Sequence, residues 1–440
     1  MAALIRNGTI LTMNAAMDVV SGDVWTDGAR IAGVGTAPAD LRADAVIDAQ
    51  GALVLPGFVQ THVHLCQTLF RGLADDLPLL AWLKTRVWPL EAAHDDQTLQ
   101  ASARLAAAEL LLGGTTTVLT METVHGTDAV FEALAPTGMR AIVGKCLMNV
   151  GGDAPARLWQ TTQAAIDETL DLDRRWSGAA GGRLRAAIAP RFAISCSRDL
   201  LEATAAVSAE RGLLIHTHAS EHREEVEIVR RQTGMDNLAY LASLGLATER
   251  LCAAHCVWVT DDEQRLLAER RVNVLHCPGS NLKLGSGVAP IAELRARGVS
   301  VSLGADGAAC NNTLDMFHEM RLAATLQAMR NGPGALPARD VVRMATCDGA
   351  HALGLDREIG SIEPGKRADL IVVRANGLHQ TPGLDPYATL VYASRPGDVE
   401  LTMVDGHVVA REGELDWADR RHVQFEAAGA ARTLRGRAGV

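Results

Sequence analysis

Leu53-Val-Leu-Pro-Gly-Phe-Val-Gln-Thr-His62-Val-His64 is the stretch on which the fold is decided. The run Leu53–Val59 carries no charge, and turn residues (Asp48-Ala-Gln-Gly51) precede it. An unbroken apolar run of this length suits a parallel strand buried on both faces. It leads into two histidines two positions apart, which on an extended chain point to the same side. A buried parallel strand that ends in paired imidazoles fits a barrel whose active site gathers at the strands' C-terminal ends.

Seven more runs of similar texture follow: Thr115–Met121, Arg140–Leu147, Leu184–Pro190, Leu213–Ala219, Leu251–Val257, Val272–Pro278 and Ser300–Asp306. Helical stretches such as Thr98–Leu112, Asp199–Arg211 and Ile291–Arg297 separate most of them. Eight β-then-α units favour an α/β fold with a (β/α)8 TIM barrel over a doubly wound open sheet. Met316–Met329 and Ala338–Leu353 read as helices packed outside.

The chain's two ends have a different texture. Short strands turn at Asn7-Gly8 and Asp27-Gly28, and the pattern returns at Ala368–Val373, Leu401–Val404 and His407–Ala410. The two ends are expected to pair as one small β-sandwich. The domain plan is therefore 1–56 and 359–418 for the sandwich halves, 57–358 for the barrel and its catalytic site, and 419–440 for an arginine-rich tail. That tail reads as frayed or docked on a partner.

Composition narrows the function. The chain has 440 residues, 48% of them hydrophobic, and a net charge of −10, which argues against a nucleic-acid surface. No apolar run approaches the roughly 18 residues of a membrane span, and the opening residues lead us to expect no secretory leader. The eight cysteines lack a Cys-x-x-Cys pair and read as small buried hydrophobes of a cytoplasmic protein.

The residues capable of chemistry lie where strands finish: His62 and His64, His216 and His218 followed by Glu221, then His255, His276 and Asp306. Two imidazoles from the first strand, a third from the fifth and a carboxylate from the eighth suit one divalent metal, zinc before iron. Such a metal activates water for hydrolysis. Glu221 is placed to carry protons, His255 to orient the attacking water, and Asp306 both to bind metal and to accept a proton. His216, inside its strand, reads as a hydrogen-bonded core histidine. His276 is either a ligand or a support for the next loop, and His94 and His125 read as surface or loop residues.

Pro56-Gly-Phe-Val-Gln-Thr-His-Val-His64, His218-Ala-Ser-Glu221, Ala254-His-Cys256 and Leu303-Gly-Ala-Asp306 resemble the amidohydrolase superfamily, in its mononuclear aminohydrolase branch. The likeness spans nearly the whole chain. It implies a metal held by His62, His64, His218 and Asp306, with Glu221 and His255 catalytic. The binuclear branch carries a lysine at the end of strand four, where this chain has Pro190-Arg191, and Lys145 closes strand three instead.

Two subfamilies leave marks. Pro190-Arg-Phe-Ala-Ile-Ser-Cys-Ser197 and Gln67 are similar to guanine deaminases, which implies that Arg191 and Gln67 bond a purine ring and Phe192 packs on its face. Leu69-Phe-Arg-Gly-Leu-Ala-Asp-Asp-Leu-Pro78, Trp88-Pro-Leu-Glu91 and Ser280–Pro290 resemble methylthioadenosine, adenosylhomocysteine and 5′-deoxyadenosine deaminases. That likeness implies ribose binding by Glu91, with Trp88 beside it. The expectation is hydrolytic deamination of a small purine-like heterocycle by a homo-oligomer. A guanine-type base comes first, a 5′-modified adenosine second, and an s-triazine or pterin third.

Overall fold

The opening stretch is two strands, not one. In the computed structural model, which describes residues 2–150 and 152–440, Leu53–Pro56 and Phe58–His64 belong to different sheets. The chain parts at Gly57, whose N–H donates to Asp369 O at 3.0 Å, while Phe58 N–H donates to Gly114 O at 2.9 Å. A Cβ at Gly57 would collide with the Thr116 side chain, so only glycine allows the crossing. Apolar content alone hides this switch, because both segments are buried.

Leu53–Pro56 pairs antiparallel with Leu370–Val373 and parallel with Ala3–Leu11. It thereby joins the N- and C-terminal strands into one mixed sheet. Buried Arg140 ties this sheet to the barrel through Asp369 at 2.9 Å and Asp405 at 2.7 Å.

The barrel strands are β1 (Phe58–His64), β2 (Thr115–Met121), β3 (Arg140–Leu147), β4 (Leu184–Pro190), β5 (Ile215–Ala219), β6 (Leu251–His255), β7 (Asn273–His276) and β8 (Ser300–Leu303). Neighbours pair in parallel from β1 to β8. After two intervening residues beyond β8, Asp306-Gly307 pairs with Val63-His64 and closes the ring. At that closure Gly304 lies so near His62 that an added Cβ would strike its backbone. Val59, Leu119, Ile142, Ala187, Cys252, Ala254 and Leu275 pack with Ala350, Leu353 and Ile359, which fills the end where the strands begin and leaves the opposite end for polar groups.

Two further expectations change. The span Ala338–Leu353 breaks at Thr346 (φ −132°, ψ −95°) into Ala338–Ala345 and Cys347–Ala352. The break seats Gly349 against Val59, where a side chain would clash. The tail is an ordered helix, Arg420–Ala438, capped by Asp419 and packed on this chain's own helix Asp96–Leu112. Val423, Ala427 and Leu434 form its buried stripe. Arg104–Glu426 at 3.0 Å and Arg437–Asp95 at 2.7 Å pin it down. Its many arginines mask that stripe in the sequence. No described helix is long and apolar enough to cross a membrane.

Candidate active site

Four imidazoles converge at the C-terminal end of the barrel, and each is held in the same manner. His64 Nδ1–H donates to Met121 O at 2.7 Å, and His218 Nδ1–H to Arg191 O at 2.8 Å. His255 Nδ1–H donates to Asn281 Oδ1 at 2.9 Å. His216 Nδ1–H donates to Thr120 O at 3.0 Å, so its Nε2 accepts from His62 Nδ1–H at 2.6 Å. Anchoring Nδ1 fixes the tautomer and turns each remaining Nε2 lone pair toward the centre. His216 therefore stands behind His62, as its place inside β5 suggested.

The inward atoms lie close together. Asp306 Oδ1 is 3.3 Å from His62 Nε2 and 3.2 Å from His64 Nε2, and His64 Nε2 is 3.3 Å from His218 Nε2. The donor atoms of His62, His64 and His218, and those of His62, His255 and Asp306, form two triads within 4.8 Å. His62 Nε2 and His255 Nε2 are buried without a hydrogen-bond partner. Burial holds His62 and His218 below the usual imidazole range and His255 down to about 4. They stay neutral and able to donate a lone pair. Orphaned, neutral nitrogens facing a carboxylate fit a zinc-type cation.

The strand ends are bent for this purpose. His255 (φ 73°) and Asp306 (φ 62°) adopt the left-handed region, as does Ser220 (φ 53°) just before Glu221. Such conformations cost about 1–3 kcal/mol each and gather at functional sites. Glu225 accepts the backbone N–H of Ser220 at 3.2 Å and of Glu221 at 2.7 Å, which fixes the bend. Glu221 Oε2 then lies 3.6 Å from His255 Nε2. Burial, with Asp306 and Glu225 nearby, pushes the Glu221 carboxyl well above the usual range.

His276 is buried outside both triads, and burial holds it down to about 3. Lys145 Nζ donates to Val124 O at 2.8 Å and Gln160 Oε1 at 2.7 Å. His94, expected as a surface or loop residue, lies in the loop before the helix Asp96–Leu112 but is buried there, and it bonds Cys66 O at 2.9 Å. His125 is partly exposed in a loop. The role of Asn281 was not assigned from sequence. The signal that could have found it is its place in the segment Ser280–Pro290 after β7, which carries part of the family resemblance.

The expected substrate residues come together, but in an unexpected arrangement. Arg191 makes a fork to Glu91, at 2.5 Å and 3.1 Å, and Gln67 Nε2 donates to Glu91 Oε1 at 2.9 Å. The sequence resemblances imply different ligands for Arg191 and Glu91, a base and a ribose. Buried in one place, opposite charges pair with each other instead. Phe192 stacks on His218 at 4.6 Å, and Trp88 is buried in the same apolar cluster as Phe192. Arg191→Ala is expected to leave Glu91 buried and unpaired, at a cost of about 3–5 kcal/mol by denaturant titration.

A closed parallel barrel with a His/His/Asp metal site at its C-terminal mouth defines a metal-dependent hydrolase. The amidohydrolase family pattern matches residues 53–409, and the chain belongs to that family, in its metal-dependent deaminase branch. It is similar to the 5′-deoxyadenosine deaminase of Methanothermobacter thermautotrophicus, with 42% identity over 94% of this chain and 95% of that one. It is also 42% identical to the 5-methylthioadenosine/S-adenosylhomocysteine deaminase of Symbiobacterium thermophilum, over 92% of this chain and 93% of the relative. Among solved structures, an adenosine deaminase from Xanthomonas campestris with bound zinc superposes with a TM-score of 0.91 at 33% identity, covering 99% and 98% of the two chains. The chain is a hydrolase of C–N bonds in cyclic amidines, and its metal site matches that of zinc-bound relatives.

Proposed function

We propose that the chain deaminates a 5′-modified adenosine: 5′-deoxyadenosine, methylthioadenosine or adenosylhomocysteine. Full-length similarity to deaminases of these nucleosides carries the reading. The guanine-type base, first in expectation, gives way for a second reason. Its case needed a free guanidinium to grip a ring carbonyl, and Arg191 is already neutralised by Glu91.

In this reading His62, His64, His218 and Asp306 hold the metal. When bound, zinc supplies Lewis-acid activation of the attacking water. Asp306 and His255 orient that water and take up its proton. Glu221 gives its proton to the ring nitrogen next to the amine-bearing carbon and is recharged with the proton that Asp306 or His255 took from the water. It passes that proton to the amine, which leaves as ammonia, and recovers the hydroxyl proton as the oxo group forms. Its raised affinity for a proton suits that duty. Phe192 and Trp88 shape the apolar wall. Gln67, whose Oε1 has no partner among the described residues, offers an acceptor to the nucleoside, while Glu91 stays paired with Arg191.

The test is ammonia release from a panel of 5′-deoxyadenosine, methylthioadenosine, adenosylhomocysteine, guanine and ammeline. One of the three nucleosides is expected to exceed guanine in kcat/KM by about 100-fold, a margin that a site with buried polar partners can deliver. Guanine turned over best would reverse the choice.

A further inference from the structure

Among the carboxylates that the mechanism does not use, Glu319 is buried in the first turn of the helix Met316–Asn331. Both its oxygens are engaged. Oε2 accepts the Gly279 backbone N–H at 2.9 Å, and Oε1 accepts Asn311 Nδ2–H at 2.8 Å. Each contact leads to the site by a short route. Gly279 and Asn281 share the six-residue helix Pro278–Lys283, and Asn281 Oδ1 holds His255. Asn311 Nδ2 also donates to Ala305 O at 2.8 Å, next to Asp306 in its left-handed conformation. The three groups are in close contact, since a Cβ at Gly279 would run into Glu319 and Asn311.

We infer that Glu319 is a positioning residue, one carboxylate that sets the spacing between His255 and Asp306 by tying the segment after β7 to the loop after β8. A carboxyl group is what this requires, and the two N–H bonds it accepts oppose the burial that pushes its pKa up to about 8. It offers two acceptors to two N–H donors, whereas an amide offers one acceptor and turns its own N–H against the second. Glu319→Gln therefore keeps the shape and breaks one arm. The inference rests on the roles given above to His255 and Asp306. Direct replacement of those two residues tests the roles separately.

The test compares Glu319→Gln with Glu263→Gln in the full-length zinc-loaded protein. Glu263 is a fair control: it is buried, accepts Leu238 N–H at 2.8 Å and Thr260 N–H at 2.9 Å, and contacts none of the site histidines. Both variants are expected to lower Tm. Glu319→Gln alone is expected to weaken zinc retention against a chelator about tenfold and to lower kcat about tenfold with KM nearly unchanged, the scale of outer-shell ligand support. Glu319→Gln matching Glu263→Gln in zinc retention and kcat would overturn the inference. If Glu319→Gln does not fold, Asn311→Ala cuts only the arm to Asp306. Weakened zinc retention in that variant supports the inference, and wild-type retention defeats it.

Discussion

His62→Ala is expected to strip the protein of its metal and lower kcat by about 10³-fold or more. At 1.36 kcal/mol per tenfold, that matches the several kcal/mol that metal-ion catalysis contributes. His62 is the one residue common to both donor triads, so its removal breaks both. The variant also leaves His216 Nε2 buried without its donor. Metal analysis by mass spectrometry, with circular dichroism as a check on folding, measures the outcome. A folded variant that keeps full metal and full rate would show that the ligand set is wrong.

Glu221→Gln is expected to separate metal binding from chemistry. The amide keeps the size of the side chain but cannot pass a proton to the ring nitrogen or the departing amine. General acid–base groups contribute roughly 10²–10⁴-fold, so kcat should fall by that factor while zinc stays bound. Glu221 lies outside both donor triads, and Glu225 secures its backbone independently. Loss of zinc together with activity would reassign Glu221 as a ligand.

The sequence spoke most clearly where a local pattern was sufficient. The runs at Thr115–Met121, Arg140–Leu147 and Leu184–Pro190 are strands from end to end, because strands buried on both faces advertise themselves as apolar runs. The convergence of His62, His64, His218, His255 and Asp306 followed from barrel geometry, which brings together strand ends remote in sequence. Features that depend on distant partners stayed hidden. The split at Gly57 needs Thr116 and Asp369 to explain it. The pairing of Arg191 with Glu91, 100 positions apart, has no local signature, so each was given its own ligand. The helix Arg420–Ala438 shows only a sparse buried stripe, legible once the helix Asp96–Leu112 is there to receive it.

The seam between Leu53–Pro56 and Leu370–Val373 also bears on how the polypeptide is made. On a ribosome the early strand emerges about 300 residues ahead of its neighbour, and at 5–20 residues per second it waits roughly 15–60 s. Throughout that interval one side of an apolar strand has no mate, the kind of exposed edge that recruits other nascent chains. Slow growth in the cold lengthens the exposure, so the yield of intact protein should suffer there first.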